Sequence, residues 1–431
     1  MQDQTGGRTA LNAGIALDHD LPDGGAMAPK RPLHLSEFVP MLALMISITA
    51  LSTDIMLPAL DIIGQDLGVA DPNDAQLVVS SLFLGFAVGQ LLVGPLSDSF
   101  GRKPVIYAGY VVFGIGCVLS AVADDFTTML VGRVLQGLGA AGPRVVSTAL
   151  VRDGYAGREM ARIMSFIMAV FILVPAIAPA LGEGVIALGG WRACFTALLV
   201  LAAVAAIWFA LRQPETLAPE ARRPFRASVI ASGVAEIART RTSTAYTLVM
   251  GGVFGAFLGY LSAAQQIFQQ TYDTGQWFAA WFGLAALAIG AASVVNAQLV
   301  MRLGMRYLTG VALIGTSVIS GALLAADLIG GTPPFWAFVA WQIPAFFCFG
   351  LLFGNLNALA MEPLGHIAGL GAALVGAVST LIALPFGWWV GAAYAGGITE
   401  LIAAFLGAGL FGLICHRAAG PRPGVAAKDP S

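Results

Sequence analysis

The sequence predicts an all-α polytopic membrane protein, with twelve transmembrane helices in two pseudo-symmetric six-helix bundles. Three observations lead there. Hydrophobic residues make up 58% of the 431 and charged residues only 11%; a soluble chain carries roughly 25% charged residues, so this one lacks the polar surface to stay in water. Apolar runs of about 20 residues, the length that crosses the hydrocarbon of a bilayer, recur twelve times between charged or turn residues. The connections between the runs alternate in the sign of their charge.

Taken in order, residues 1–37 are mixed polar and lack the basic start and short apolar core of a secretion signal. They are expected to form a disordered cytoplasmic tail. Spans at 38–60, 76–97, 104–122, 127–150, 162–188 and 193–211 build an N-terminal six-helix bundle, 38–211. Segment 212–243 holds six Arg with Pro214, Pro219 and Pro224, and reads as a solvated cytoplasmic linker. Spans at 244–271, 277–300, 306–328, 335–360, 368–392 and 397–416 build a C-terminal bundle, 244–416, before a second cytoplasmic tail, 417–431. "WWVGAAYAGGITE" supplies the turn between the last two spans. The 53 glycines fit close helix packing in lipid. A faint repeat places "GPLSDSFGRKPV" after the second span and "AQLVMRLGMRYL" after the eighth, and duplicated halves suit a transporter that rocks around a midplane site.

The connections after spans two, four, six and eight, with both tails, hold 19 of the 22 Lys and Arg. They include Arg152, Arg158, Arg162, Arg302 and Arg306. The other connections carry Asp61, Asp66, Asp71, Asp74, Asp124, Asp125 and Asp273. The positive-inside rule then puts both termini in the cytoplasm, as an even number of crossings requires. A bacterial-type inner (cytoplasmic) membrane is the expected location.

Several function classes drop out. Lys30, Lys103 and Lys428 are the only lysines and none lies in a Gly-rich phosphate loop, so any work is expected to draw on a gradient. Cys117, Cys194, Cys348 and Cys415 lie far apart in apolar stretches, as small buried side chains do. No metal-ligand spacing and no cofactor motif is present. Neither H-E-x-x-H nor G-x-S-x-G occurs, which argues against an enzyme. His19, His34, His366 and His416 all lie outside the depth of the spans, so a proton relay would fall to carboxylates.

Few ionisable residues lie clearly within spans: Asp54, Arg133, Arg144 and Glu183. Each costs about 2.5–3.5 kcal/mol at a helix centre on insertion scales, so each is a functional candidate. Asp54 lies six residues before the outer end of its span and Arg133 six after the outer start of its own, or roughly 9 Å deep at ~1.5 Å per residue. The two are therefore expected to be level and paired. Pro58 cannot donate to the Asp54 carbonyl and should kink the first span; a guanidinium could satisfy both that carbonyl and the carboxylate. Burial favours the neutral acid and a nearby cation favours the carboxylate, so an acid that alternates between the two settings can act as a proton switch. Arg144 shares the Arg133 face. It reads as snorkelling to the inner interface, or as lining the inner half of a cavity. Glu183 reads as an interfacial carboxylate.

These residues carry a resemblance. "GPLSDSFGRKP" at 94–104 resembles the signature loop of the major facilitator superfamily (MFS). "GRVLQGLGAAG" at 132–142 is similar to the R-x-x-Q-G pattern of its drug:proton antiporters, and "PAIAPALGEG" at 175–184 to their Pro/Gly-rich antiporter motif. With "STDIMLPAL", "TALVRDGYAG", "GWRACF" and "EPLGHIAGLGAALVGA", the chain looks like the bicyclomycin and chloramphenicol resistance (Bcr/CflA) branch. The resemblance implies a cytoplasmic gate at Gly94, Asp98, Gly101, Arg102 and Lys103, facing Arg152 and Asp153. It implies proton coupling by Arg133 and Gln136 beside Asp54, and an antiporter motif shaped by Pro175, Pro179 and Gly182. Glu183 stands where the pattern has a second glycine, and Thr148 where many relatives have arginine. For the substrate cavity the candidates are Gln90, Arg144, Tyr260, Gln265, Gln269, Asn355 and Asn357, although amides in lipid spans are more often glue between helices.

The leading expectation is proton-coupled multidrug efflux of lipophilic antimicrobials by a monomer in the lipid membrane. Its partners would be a small lipophilic drug and protons, with no nucleic acid, no cofactor and no metal. An exporter or importer of a natural metabolite such as a sugar, siderophore or peptide is the rival within the class. A membrane sensor or scaffold is the rival outside it; such a protein has no need of an acid and a guanidinium at one depth.

Overall fold

A computed structural model of the protein describes residues 33–155, 157–222 and 224–420, apart from the side chains of 157, 158, 161, 172, 227 and 276. The tail segments 1–32 and 421–431, expected to be disordered, and the Arg158 side chain lie outside the described residues.

Those residues form helix and no strand. The first half contains α1 (Leu35–Asp54), α2 (Leu60–Asp66), α3 (Leu77–Phe100), α4 (Arg102–Ala121), α5 (Phe126–Gly154) and α6 (Gly157–Arg212). After α7 (Ala227–Arg239) come α8 (Arg241–Gln266), α9 (Phe278–Leu303), α10 (Met305–Gly330), α11 (Phe335–Met361), α12 (Ala368–Ala392) and α13 (Thr399–Ala418). Among the described residues nine runs are long and apolar enough to cross a membrane. One of them, Arg162–Arg212, is bent at Gly189 and Gly190, and Phe335–Ala392 joins α11 to α12 through a 3-10 turn at Glu362–Ile367. With these two divided, and with the less apolar α5 added, the described residues hold the twelve predicted crossings.

The breaks have local causes. Gly190 adopts φ 69°, a left-handed conformation that glycine takes without strain. Trp191 Nε1 and Arg192 Nη1 then fix the corner of α6 by donating to Asp66 Oδ2, both at 2.9 Å. Pro58 ends the first span early. The span predicted as continuous over 38–60 stops as α-helix at Asp54, turns through a 3-10 segment at Leu57–Ala59 and restarts as α2, because proline offers no N–H to the Asp54 carbonyl. Asp125 caps α5: its carboxylate accepts from the Thr128 N–H (2.8 Å) and hydroxyl (2.6 Å), which holds its carboxyl below the usual range.

In the first half α5 packs along both α3 and α4. A Cβ added at Gly137 would stand 1.8 Å from the Leu82 carbonyl oxygen, and one at Gly85 1.9 Å from that of Val134. Glycine therefore lets the two backbones touch. In the second half an aromatic stack fills the space between α11 and α13, with Phe349 and Phe405 parallel at 4.5 Å and Trp341 edge-on at 4.9 Å. The halves meet where α3 lies on α12 and α6 on α9. Val111, Val200, Ile207, Val318 and Ile414 are each more than half exposed, an apolar outer belt suited to lipid rather than water.

The linker corrects an expectation. It is not simply solvated, because Ile230, Gly233 and Ile237 at helical spacing seat α7 against α12 and α8. Glu236 also meets His366 of the turn before α12 at 2.6 Å.

Candidate functional site

Asp54 is the last residue of α1 and is 4% exposed. Arg133 is fully buried in the second turn of α5. The expected ion pair between them is absent among the described residues. Arg133 donates through Nε to the Val78 carbonyl at 2.8 Å and through Nη1 to Gln136 Oε1 at 2.6 Å, and its guanidinium stands 5.9 Å from the Phe195 ring. Gln136 Nε2 reaches Cys117 Sγ at 3.0 Å. Arg133 and Gln136 thus act together, tying α5 to α3 and α4. Equal depth did not make a pair because α1 ends at Asp54: the carboxylate sits at a helix break and not on a continuing helical face. The cavity candidate Tyr260 lies on α8 and is buried. Tyr260 Oη accepts from Gln342 Nε2 at 2.9 Å and packs on Phe346 at 4.5 Å.

The proline and glycine segment of α6 seats that break. A Cβ at Gly182 would lie 1.9 Å from the Ile55 carbonyl oxygen, and the Cys194 thiol faces the same oxygen at 3.9 Å. Gly182 therefore sets the position of the residue that follows Asp54. Pro175 and Pro179 lie within the same arm of α6. Glu183, one residue on, places its carboxylate at the backbone N–H of Ala279 in the first turn of α9. There it offsets the positive end of that helix.

At the end of the bundle carrying the basic loop, most of the expected gate residues converge. Arg102, 4% exposed, donates to Asp98 (2.6 Å), Ser97 (2.8 Å) and Asp153 (2.9 Å). Gly101 turns the chain at φ 104°, and Lys103 Nζ caps the last carbonyls of the second arm of α6, with Gln213 O at 2.6 Å. Gly94 and Arg152 stand apart from this network. The nearest atom to a Cβ at Gly94 is Ala373 Cβ, at 4.0 Å, and the Arg152 guanidinium lies against Gly369 of α12. A residue that the sequence reading missed completes the loop. Glu215 accepts from the N–H groups of Arg102 and Lys103, both at 3.0 Å, and so caps α4 from the linker. The available signal was an acid in "PET" just past the last span of the half. Replacing Glu215 with Ala leaves two N-terminal N–H groups of α4 uncapped, at a cost of about 1 kcal/mol. The melting temperature of the purified protein is expected to fall by roughly 2 °C, and Glu215→Gln by less.

The opposite end carries the cross-links between the halves. Asp61 Oδ2 accepts from Gln265 (2.9 Å) and Gln270 (3.1 Å), Asn73 Oδ1 accepts from Gln266 (3.0 Å), and Asn73 Nδ2 donates to the carbonyls of Ala392 (3.3 Å) and Tyr394 (3.0 Å). These five hydrogen bonds join the part before 212 to the part after 241, beside the Glu183 contact at the Ala279 N–H. Gln265 and its partner Gln269, expected in the cavity, belong to this seal. Asn355 exchanges hydrogen bonds with Asn296 at 2.7 and 3.3 Å and acts as glue between helices. Asn357 is exposed, and Gln90 lies beside Gly376 at the α3–α12 contact. Arg144 lies over the Phe171 ring at 4.8 Å.

Buried ionisable groups at a helix break, a charged loop at one end and an amide seal at the other define a polytopic helical transporter. The chain belongs to the Major Facilitator Superfamily, whose profile it matches over residues 42–381. Membership makes it a transporter and not an enzyme. It is similar to the bicyclomycin resistance protein homolog of Haemophilus influenzae, at 29% identity over 79% of this chain and 85% of that one. It is equally similar to the chloramphenicol resistance protein of Pseudomonas aeruginosa, at 29% over 78% and 81%. Among solved structures, a D-xylose-proton symporter superposes with a TM-score of 0.69 at 15% identity, covering 90% of this chain and 97% of that chain.

Proposed function

We propose that the protein is a proton-coupled exporter of lipophilic antimicrobials, exchanging drug for protons by alternating access. It works as a monomer in the cytoplasmic membrane with both termini inside. The observation that carries the reading is Asp54, a buried carboxylate at a helix break with no cation paired to it. A group so placed is costly when charged and cheap when neutral, so the proton on it biases which state of the transporter is populated. Gly182 couples the break to α6. Arg133 serves as the anchor that keeps α3, α4 and α5 rigid around the moving acid. The seal of Asp61 and Asn73 closes the outer end, and the Arg102 network holds the inner end. The drug enters from the cytoplasm or inner leaflet, and a proton arriving from outside releases it. The resistance names of the similar proteins support drugs over metabolites. Uptake of a chloramphenicol-type compound into everted vesicles tests this: accumulation should follow an imposed pH gradient and stop when the gradient is collapsed. Accumulation that ignores the gradient would sink the proton coupling.

A further inference from the structure

Resting on that efflux reading, we infer that Arg144 and Phe171 form a selectivity platform for substrates that join an aromatic ring to an anionic group. Three observations converge. Arg144 lies six residues inside the inner end of its crossing at 150, about 9 Å, and its guanidinium lies over the Phe171 ring and not at the end of the helix. It lies on nearly the same face of α5 as Arg133 but meets a different crossing: Arg144 stands over Phe171 in the arm of α6 before the bend at Gly189 and Gly190, and Arg133 over Phe195 in the arm after it. And although Arg144 is only partly buried, no carboxylate or carbonyl among the described residues pairs with it.

A charge at that depth is tolerated only where it faces the bundle interior or a water-filled path. The guanidinium presents a planar fork that matches a carboxylate with two parallel hydrogen bonds. The ring beneath it holds the plane in place through a cation–π contact and adds an aromatic edge against which a flat substrate can rest. Neutral lipophilic compounds use the ring alone. Cationic ones meet repulsion here and gain only at Asp54 when it has given up its proton. The pair thus sorts substrates by charge along one path.

Two dyes with the same xanthene core separate the effects, anionic fluorescein and the cationic ester rhodamine 6G. Initial rates of pH-driven uptake into everted vesicles would be compared for wild type, Arg144→Gln and Phe171→Leu at matched protein level. Arg144→Gln should raise the KM for fluorescein at least about tenfold, the loss of ~1.4 kcal/mol of recognition, while rhodamine transport is unchanged or faster. Phe171→Leu keeps the charge and should weaken fluorescein more mildly, so the inference stays testable if the arginine variant folds poorly. An equal fall for both dyes would mark Arg144 as structural and overturn the inference, as would a wild type that moves rhodamine but not fluorescein. A wild type that moves neither dye would sink the efflux reading and this inference with it.

Discussion

Asp54→Asn should stop gradient-driven drug accumulation while leaving the protein as stable as before or more so. Asparagine keeps the shape and removes the titratable proton. The carboxylate is buried with no cation beside it, so neutralising the site removes a cost of about 2.5–3.5 kcal/mol on insertion scales. The melting temperature of the purified variant should therefore hold or rise. Uptake in everted vesicles should fall at least about tenfold, a barrier change of ~1.4 kcal/mol, and should lose its dependence on pH. The sign follows from the role: an acid that must gain and lose a proton fails when it can do neither. A variant that still exports drug in proportion to the pH gradient would remove Asp54 from the mechanism. A variant that unfolds would show a structural role instead.

Gly182→Ala should damage both stability and transport, whereas Gly184→Ala should do neither. A Cβ at 182 lies 1.9 Å from the Ile55 carbonyl oxygen, which is backbone and cannot swing aside. Forcing atoms into such a contact costs typically 1–3 kcal/mol. The strain falls on the residue next to Asp54, so transport should drop more than the melting temperature alone explains. At Gly184 nothing lies within 4 Å of the added atom, and alanine in a helix is favoured over glycine by about 0.5–1 kcal/mol. Equal behaviour of the two variants would show that the α1–α6 contact does not govern the site.

The crossings were legible because hydrocarbon demands long apolar runs, and Pro58 announced a kink though not the end of the first helix at Asp54. Charged residues inside those runs were equally plain, which is why Asp54, Arg133 and Arg144 stood out. Depth along a helix could be read from counting residues; direction around it could not. Asp54 and Arg133 were therefore expected to pair, and α1 ended before they could. The linker misled for a different reason. Its arginines and prolines look solvated in isolation, yet Glu215 finds the start of α4 more than a hundred residues back in the chain. Gln265 looked like a cavity residue because its partner, Asp61, lies on a connection far away in sequence. Local composition holds no trace of such pairings.

The seal between the halves has an energetic scale. It consists of five hydrogen bonds from side-chain amides to one carboxylate, one amide oxygen and two backbone carbonyls. At about 1 kcal/mol net for each, parting it costs a few kcal/mol. That is the same order as the insertion cost of one buried acid, so under the proposed coupling a single proton would suffice to tip the balance between shut and open.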